Sequence, residues 1–126
     1  MADCIFCHIP EKDWIYQTDK FYLVWDIDPI QEGHMLLISK AHRLSLLDLT
    51  DEEGRDLLAL QKKVIATVES LPDWGVTVAI NNGHLMDQGT HFHCHLIPRY
   101  QGDGFWDKIH VEKKGFMKTA FLNALL

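Results

Sequence analysis

The rhythm of apolar positions changes several times along this chain, and each rhythm predicts an element. From Ile15 to Ile27, aromatic and β-branched residues flank the turn-like Thr18-Asp19-Lys20. That pattern predicts two short strands, of which Phe21-Tyr22-Leu23-Val24-Trp25 is the stronger. Asp26-Ile27-Asp28-Pro29 should end the second strand, because proline has no N–H for a ladder. After the turn Gln31-Glu32-Gly33, the run His34 to Ser39 has strand length and an apolar make-up suited to the middle of a sheet. The period then shifts. Leu57, Leu58, Leu60, Gln61, Val64, Ile65 and Val68 fall on one stripe at helical spacing. Thr50 with Glu53 three residues on predicts a capping box at the start of that helix. Pro72 should stop it near Leu71. Gly75 to Ile80 predicts another strand, Asn81-Asn82-Gly83 a turn, and His84 to Thr90 a loop. A last strand is expected from His91 to Ile97, stopped by Pro98, with a loop at Gln101 to Gly104. From Phe105 to Leu126 charged and apolar residues mix without a readable period. Strands, one long helix, then strands predict an α+β fold, with about five antiparallel strands and the helix packed on one face.

Composition narrows the picture. The 126 residues suit one domain spanning 1–126, and 47% hydrophobic with 24% charged residues is a globular make-up. A formal charge of -6 offers no broad basic footprint for nucleic acid. No apolar run reaches the length of a membrane span, so no membrane partner is expected. Met1-Ala2-Asp3-Cys4 lacks the basic and apolar regions of a signal peptide, so the expected location is cytoplasmic. Of three cysteines, Cys4 and Cys7 form a CxxC and Cys94 stands alone, which argues against a disulfide framework. The CxxC suits a metal half-site. A redox pair fits less well, because no strand precedes it to lead into a helix N-terminus. Two ordinary buried thiols are the bland alternative.

The densest chemistry is His91-Phe92-His93-Cys94-His95. On a strand, alternation sends the three imidazoles to one face and Phe92, Cys94 and Leu96 to the other. The apolar set fits a core, with Cys94 as filler. Three neighbouring imidazoles leave two functional readings. One is a three-histidine metal site with an open position for water. The other is a nucleophile whose neighbours orient it and bind charge. Zinc is also suggested by Cys4 and Cys7, whose two missing ligands must come from among His8, His34, His42, His84, His91, His93, His95 and His110. His91, at the start of the run, is attractive because it leaves His93 and His95 free.

The segment His91 to Arg99 resembles the signature of the histidine triad (HIT) family of nucleotide hydrolases and transferases. Other segments resemble that family in the same order: Cys4-Ile5-Phe6-Cys7, Asp26-Ile27 with Pro29, Gly33-His34, Leu37 to His42, and Asn81-Asn82-Gly83. The resemblance spans about 3–106 and leaves 107–126 outside. It implies a HIT-like fold whose sheet extends across a homodimer. It also implies attack by His93 on the α-phosphorus of a purine nucleotide conjugate, with a nucleotidyl-histidine that water hydrolyses to a nucleoside monophosphate such as AMP. Diadenosine polyphosphates and adenosine phosphoramidates are the implied substrates. His95, His34 and Asn81 join His93 in the implied catalytic set. Asp26 would bind the ribose, Ile27 and Phe6 would line the base, and Gln88, Gly89 and Thr90 would lie toward the leaving group. The family's zinc-containing members imply a structural zinc on Cys4, Cys7, His42 and His91. One departure stands out: the segment from Gly83 to His91 is one residue short of the family pattern, and Met86-Asp87-Gln88-Gly89-Thr90 replaces its usual residues. A zinc-stabilised nucleotide-binding or interaction module with little turnover is the alternative from another functional class.

Overall fold

The computed structural model describes residues 4–126; the first residue of the 3–106 region, Asp3, and the N-terminal residues 1–2 lie outside the described residues. Five strands form one antiparallel sheet: β1 Tyr16–Gln17, β2 Phe21–Trp25, β3 Met35–Ser39, β4 Trp74–Ile80 and β5 His93–Tyr100, in the order β1-β2-β3-β5-β4. The expected central position of the 34–39 run holds, since β3 lies between β2 and β5.

Helix α1, Asp51–Glu69, starts where the capping box predicts. The Thr50 hydroxyl accepts from the Glu53 amide at 3.1 Å, and Glu53 Oε1 accepts from the Thr50 amide at 2.8 Å. Its buried apolar stripe is Leu57, Leu60, Val64 and Val68, narrower than expected, for Leu58 faces solvent. The stripe packs on Phe21, Leu23, Leu37, Phe92, Cys94 and Leu96. Truncating Leu60, 2% exposed, would cost about 2–5 kcal/mol. Cys94 is the expected filler; burial pushes its thiol up to about 11.

The strand around the histidines differs from expectation at both ends. It begins at His93 and runs through Pro98 to Tyr100. Pro98 is tolerated because β3 accompanies β5 only as far as Leu96, leaving one side of β5 without a ladder. Pro98 still pairs with Val76 of β4 on the other side. Gly33 packs here: its φ is +91°, and a Cβ would come 3.2 Å from Pro98 Cγ.

The second face of the sheet is covered too. Tyr22, Val24, Leu36 and Ile38 lie under Phe6, Ile9 and Trp14 of the N-terminal segment, and Trp14 stacks on Tyr22 at 4.3 Å between centroids. The unreadable C-terminal stretch forms two helices, α2 Phe105–Lys108 and α3 Lys118–Leu125, the latter with no buried residue. No helix is long and apolar enough to cross a membrane among the described residues.

Candidate active site and metal cluster

Backbone groups fix how each imidazole presents itself. A carbonyl oxygen can only accept, so the ring nitrogen beside it must carry the hydrogen. His91 Nε2 therefore donates to the Ser39 carbonyl at 2.6 Å, leaving the Nδ1 lone pair free. His93 Nδ1 donates to the His91 carbonyl at 2.8 Å, leaving the Nε2 lone pair free. His34 works the other way. Its Nδ1 accepts from the Ile30 amide at 3.1 Å, so the neutral ring carries its hydrogen on Nε2. That hydrogen points to His95 Nδ1, 2.9 Å away. His95 in turn must hold its own hydrogen on Nε2. One backbone amide at Ile30 thus sets the tautomer of two histidines, one just before β3 and one on β5.

Burial disfavours the charged form of two of these rings. His34, 2% exposed, has its pKa lowered by desolvation, which outweighs the attraction of Asp26. His95 is lowered by burial and by the neighbouring His93 and His34, against the pull of Asp26 and Asp87. His93 and His95 stand edge to face with centroids 4.9 Å apart. Phe6 presses edge-on against His93, also at 4.9 Å.

His91 belongs to a different constellation. Its Nδ1 lies 3.0 Å from Cys4 Sγ and 3.4 Å from Cys7 Sγ, and His42 Nδ1 lies 3.2 Å from Cys7 Sγ. The four donor atoms all lie within 4.8 Å of one another. Two thiols and two imidazoles at that spacing suit a tetrahedral zinc, with the His91 lone pair already aimed inward. The approach of distant segments has local causes. The Phe92 amide donates to the Arg43 carbonyl, which lays 42–43 beside 91–92. Arg43 Nε also donates to Glu53 at 3.1 and 3.2 Å, so the carboxylate that caps α1 steadies the segment holding His42. Glu53 is 3% exposed, and its pKa is lowered by the Thr50 and Arg43 hydrogen bonds despite burial. Asp26, His34 and His95 form a second group close enough to hold a metal. Since His34 Nε2 carries its hydrogen, it has no lone pair to give, and that hydrogen is shared between His95 Nδ1 and Asp26.

His93 and His95 open onto a cleft of about 1110 Å³. Asp26 and Ile27 line it from the end of β2, and Phe6 from the N-terminal segment. Asp26 Oδ1 accepts from the Asp28 amide at 2.8 Å, and Oδ2 lies 3.4 Å from His34 Nε2. Ile27 is wholly exposed. Asn81 directly follows Ile80, the last residue of β4, which pairs with Cys94, and it does not line the cleft. Gln88, Gly89 and Thr90 do not line the cleft. The Gly89 carbonyl accepts from the Ile5 amide at 2.7 Å, and the Thr90 hydroxyl donates back to the Asp87 carbonyl at 2.7 Å. Asp87 lines the cleft instead. Sequence reasoning missed Asp87, the Ile30 amide and Glu53. Only Glu53 had a signal, and it pointed to the helix cap alone.

Residues 9–102 match the HIT domain family. An uncharacterised HIT-like protein of Methanocaldococcus jannaschii is 33% identical over 129 residues, covering 98% of this chain and 95% of its own. The adenosine 5′-monophosphoramidase of Candida albicans is 35% identical over 108 residues, 78% of this chain and 71% of that one. The crystal structure of a Zn-bound histidine triad family protein from Mycobacterium smegmatis has a TM-score of 0.70 at 27% identity, covering 98% of this chain and 97% of that chain.

Proposed function

The chain belongs to the HIT domain family, and from that premise we propose that it hydrolyses a nucleotide conjugate at the α-phosphorus, with His93 as nucleophile. The observation that carries this reading is the pair of locked tautomers. The His93 Nε2 lone pair and the His95 Nε2 hydrogen are the free functions of two imidazoles that line one cleft. The first suits attack on phosphorus, and the second suits a phosphoryl oxygen on which charge develops.

In the first step the His93 Nε2–phosphorus bond forms as the bond to the leaving group breaks. As positive charge develops on His93, its Nδ1 hydrogen remains held by the His91 carbonyl. In the second step water attacks phosphorus and the Nε2–phosphorus bond breaks. Net, the water hydroxyl stays on phosphorus, and the other hydrogen ends on the leaving group. Asn81, next in the chain after β4, is read as a further donor for the phosphoryl oxygens. Asp26 accepts from the ribose hydroxyls with the lone pairs its loop leaves over. Ile27 and Phe6 give the base apolar surface. Adenosine as the nucleoside is supported by the relative's name.

Cys4, Cys7, His42 and His91 would hold a zinc whose chemistry is structural, because four protein donors leave no position for water. The unit is read as a homodimer, which is supported by the bare edge of β4 and by exposed apolar residues such as Phe116, Met117 and Leu125. A solution mass equal to one chain would refute it.

The test is incubation with an adenosine 5′-phosphoramidate and assay for AMP. The wild-type chain should release AMP and give an acid-labile nucleotidyl adduct on His93. His93→Ala should lose product and adduct while still binding AMP. Undiminished turnover in that variant would sink the mechanism.

A further inference from the structure

The rim of the cleft is acidic. Its wall carries Asp13, Asp26, Asp28 and Asp87, and Lys12 is its one lysine or arginine. Asp26 is committed to the Asp28 amide and to His34. Asp87 differs. Its carbonyl accepts from the Thr90 amide at 3.3 Å and from the Thr90 hydroxyl, which folds 87–90 into a tight turn. Gly89, at φ +78°, turns the chain there, and its carbonyl ties the loop to Ile5. The loop is therefore held by its backbone, while the Asp87 carboxylate has no ion-pair partner among the described residues. Its charge is felt at His95, the imidazole beside His93, since it opposes the lowering of the His95 pKa.

Topology decides what that charge meets. Asp26 and Ile27 come from the end of β2, on one side of the histidine strand, and Asp87 comes from the loop after β4, on the other. With the nucleoside on the Asp26 wall and phosphorus at His93, the group beyond phosphorus would extend toward Asp87, the residue of the 86–90 loop that lines the cleft. In that placement the Asp87 carboxylate lies toward the leaving group.

We propose that Asp87 selects the leaving group by charge, favouring an amine that carries a second, cationic group and disfavouring carboxylated amines and polyphosphates. The inference rests on the reading of His93 as the phosphorus nucleophile. Asp87 acts by long-range attraction at an open rim, so the effect is moderate and screened by salt.

The experiment uses the full chain and adenosine 5′-phosphoramidates of three amines of equal length: butylamine, 1,4-diaminobutane and 4-aminobutyrate. Diadenosine tetraphosphate is a fourth substrate. At low salt kcat/KM should fall from the cationic to the neutral to the anionic amine, by about three- to tenfold at each step, and the spread should narrow at high salt. The tetraphosphate should rank with the anionic amine or below. Asp87→Asn should collapse the spread and leave the butylamine substrate within about twofold of wild type. Equal rates for the three amines in the wild type, a spread that survives Asp87→Asn, or an equal loss on all substrates in that variant each overturn the selection by Asp87. Turnover of the butylamine phosphoramidate by the wild type, lost in His93→Ala, upholds the reading of His93 separately. Absence of AMP from every substrate overturns both.

Discussion

The relay from the Ile30 amide through His34 to His95 can be cut at either end. His34→Asn keeps an acceptor near Nδ1 for the Ile30 amide and removes the donor to His95. His34→Gln extends an amide donor toward His95 and removes the acceptor for Ile30. Both lose the imidazole's packing, so their difference isolates the two bonds. A neutral hydrogen bond is worth about 1 kcal/mol net, which favours the correct His95 tautomer by roughly fivefold. Losing it brings the two tautomers to near parity and costs only about twofold in competent enzyme. Leaving His95 Nδ1 buried without a donor, and its ring free to turn, adds about 1–3 kcal/mol against the oriented state. The sum predicts a fall in kcat of about ten- to three-hundredfold for His34→Asn. His34→Gln should keep turnover within about tenfold of wild type but lose about 1 kcal/mol of stability, because the Ile30 amide loses its partner. Steady-state release of AMP measures the first effect and urea unfolding the second. Side-chain 15N spectra report the His95 tautomer directly. Equal kcat in the two variants, with a wild-type His95 tautomer in His34→Asn, would refute the relay.

Two further predictions follow from the same geometry. Elemental analysis should find about one zinc per chain, and Cys4→Ser should lose it together with about 10 °C of Tm, given several degrees per kcal/mol at this size. Metal loss with an unchanged Tm would remove the structural role. Stability should also depend on pH. His34 and His95 have folded pKa values below the ordinary 6.5, so the native chain binds fewer protons than the unfolded one. Their contribution is full above about pH 6.5 and is lost as pH falls from there through the lowered values. Thermal unfolding between pH 7.5 and 5 should show a falling Tm, with a shallower slope in His34→Asn. A Tm that holds level across that interval in the wild type would contradict the assignment.

Most of the fold was legible because its signals are local. The Thr50–Glu53 box marks the helix start, and the turn at Thr18 to Lys20 separates β1 from β2. Pro98 misled because a proline's cost depends on whether a neighbour strand runs beside it. That is a matter of register, which the sequence does not display. The histidine run announced its chemistry, since alternation puts three imidazoles on one face. Their tautomers stayed hidden, because the groups that set them are the carbonyls of Ser39 and His91 and the amide of Ile30. Backbone groups carry no residue signature. Asp87 was hidden for a related reason: its place depends on how the loop after β4 closes, and Thr90 and Gly89 close it largely through main-chain bonds. The segment from Phe105 onward lacks a readable period because α3 buries none of its residues.

The Cys4 to Cys7 turn lies between two binding events. Its thiols face His42 and His91, and Ile5 and Phe6 between them wall the cleft. A metal and a nucleotide would each order the same four residues, so their affinities are thermodynamically linked. Reciprocity requires that whatever factor the metal lends to nucleotide affinity, the nucleotide returns to the metal. An occupied cleft would then slow the loss of metal to a chelator, and the protein's hold on zinc would vary with its nucleotide supply.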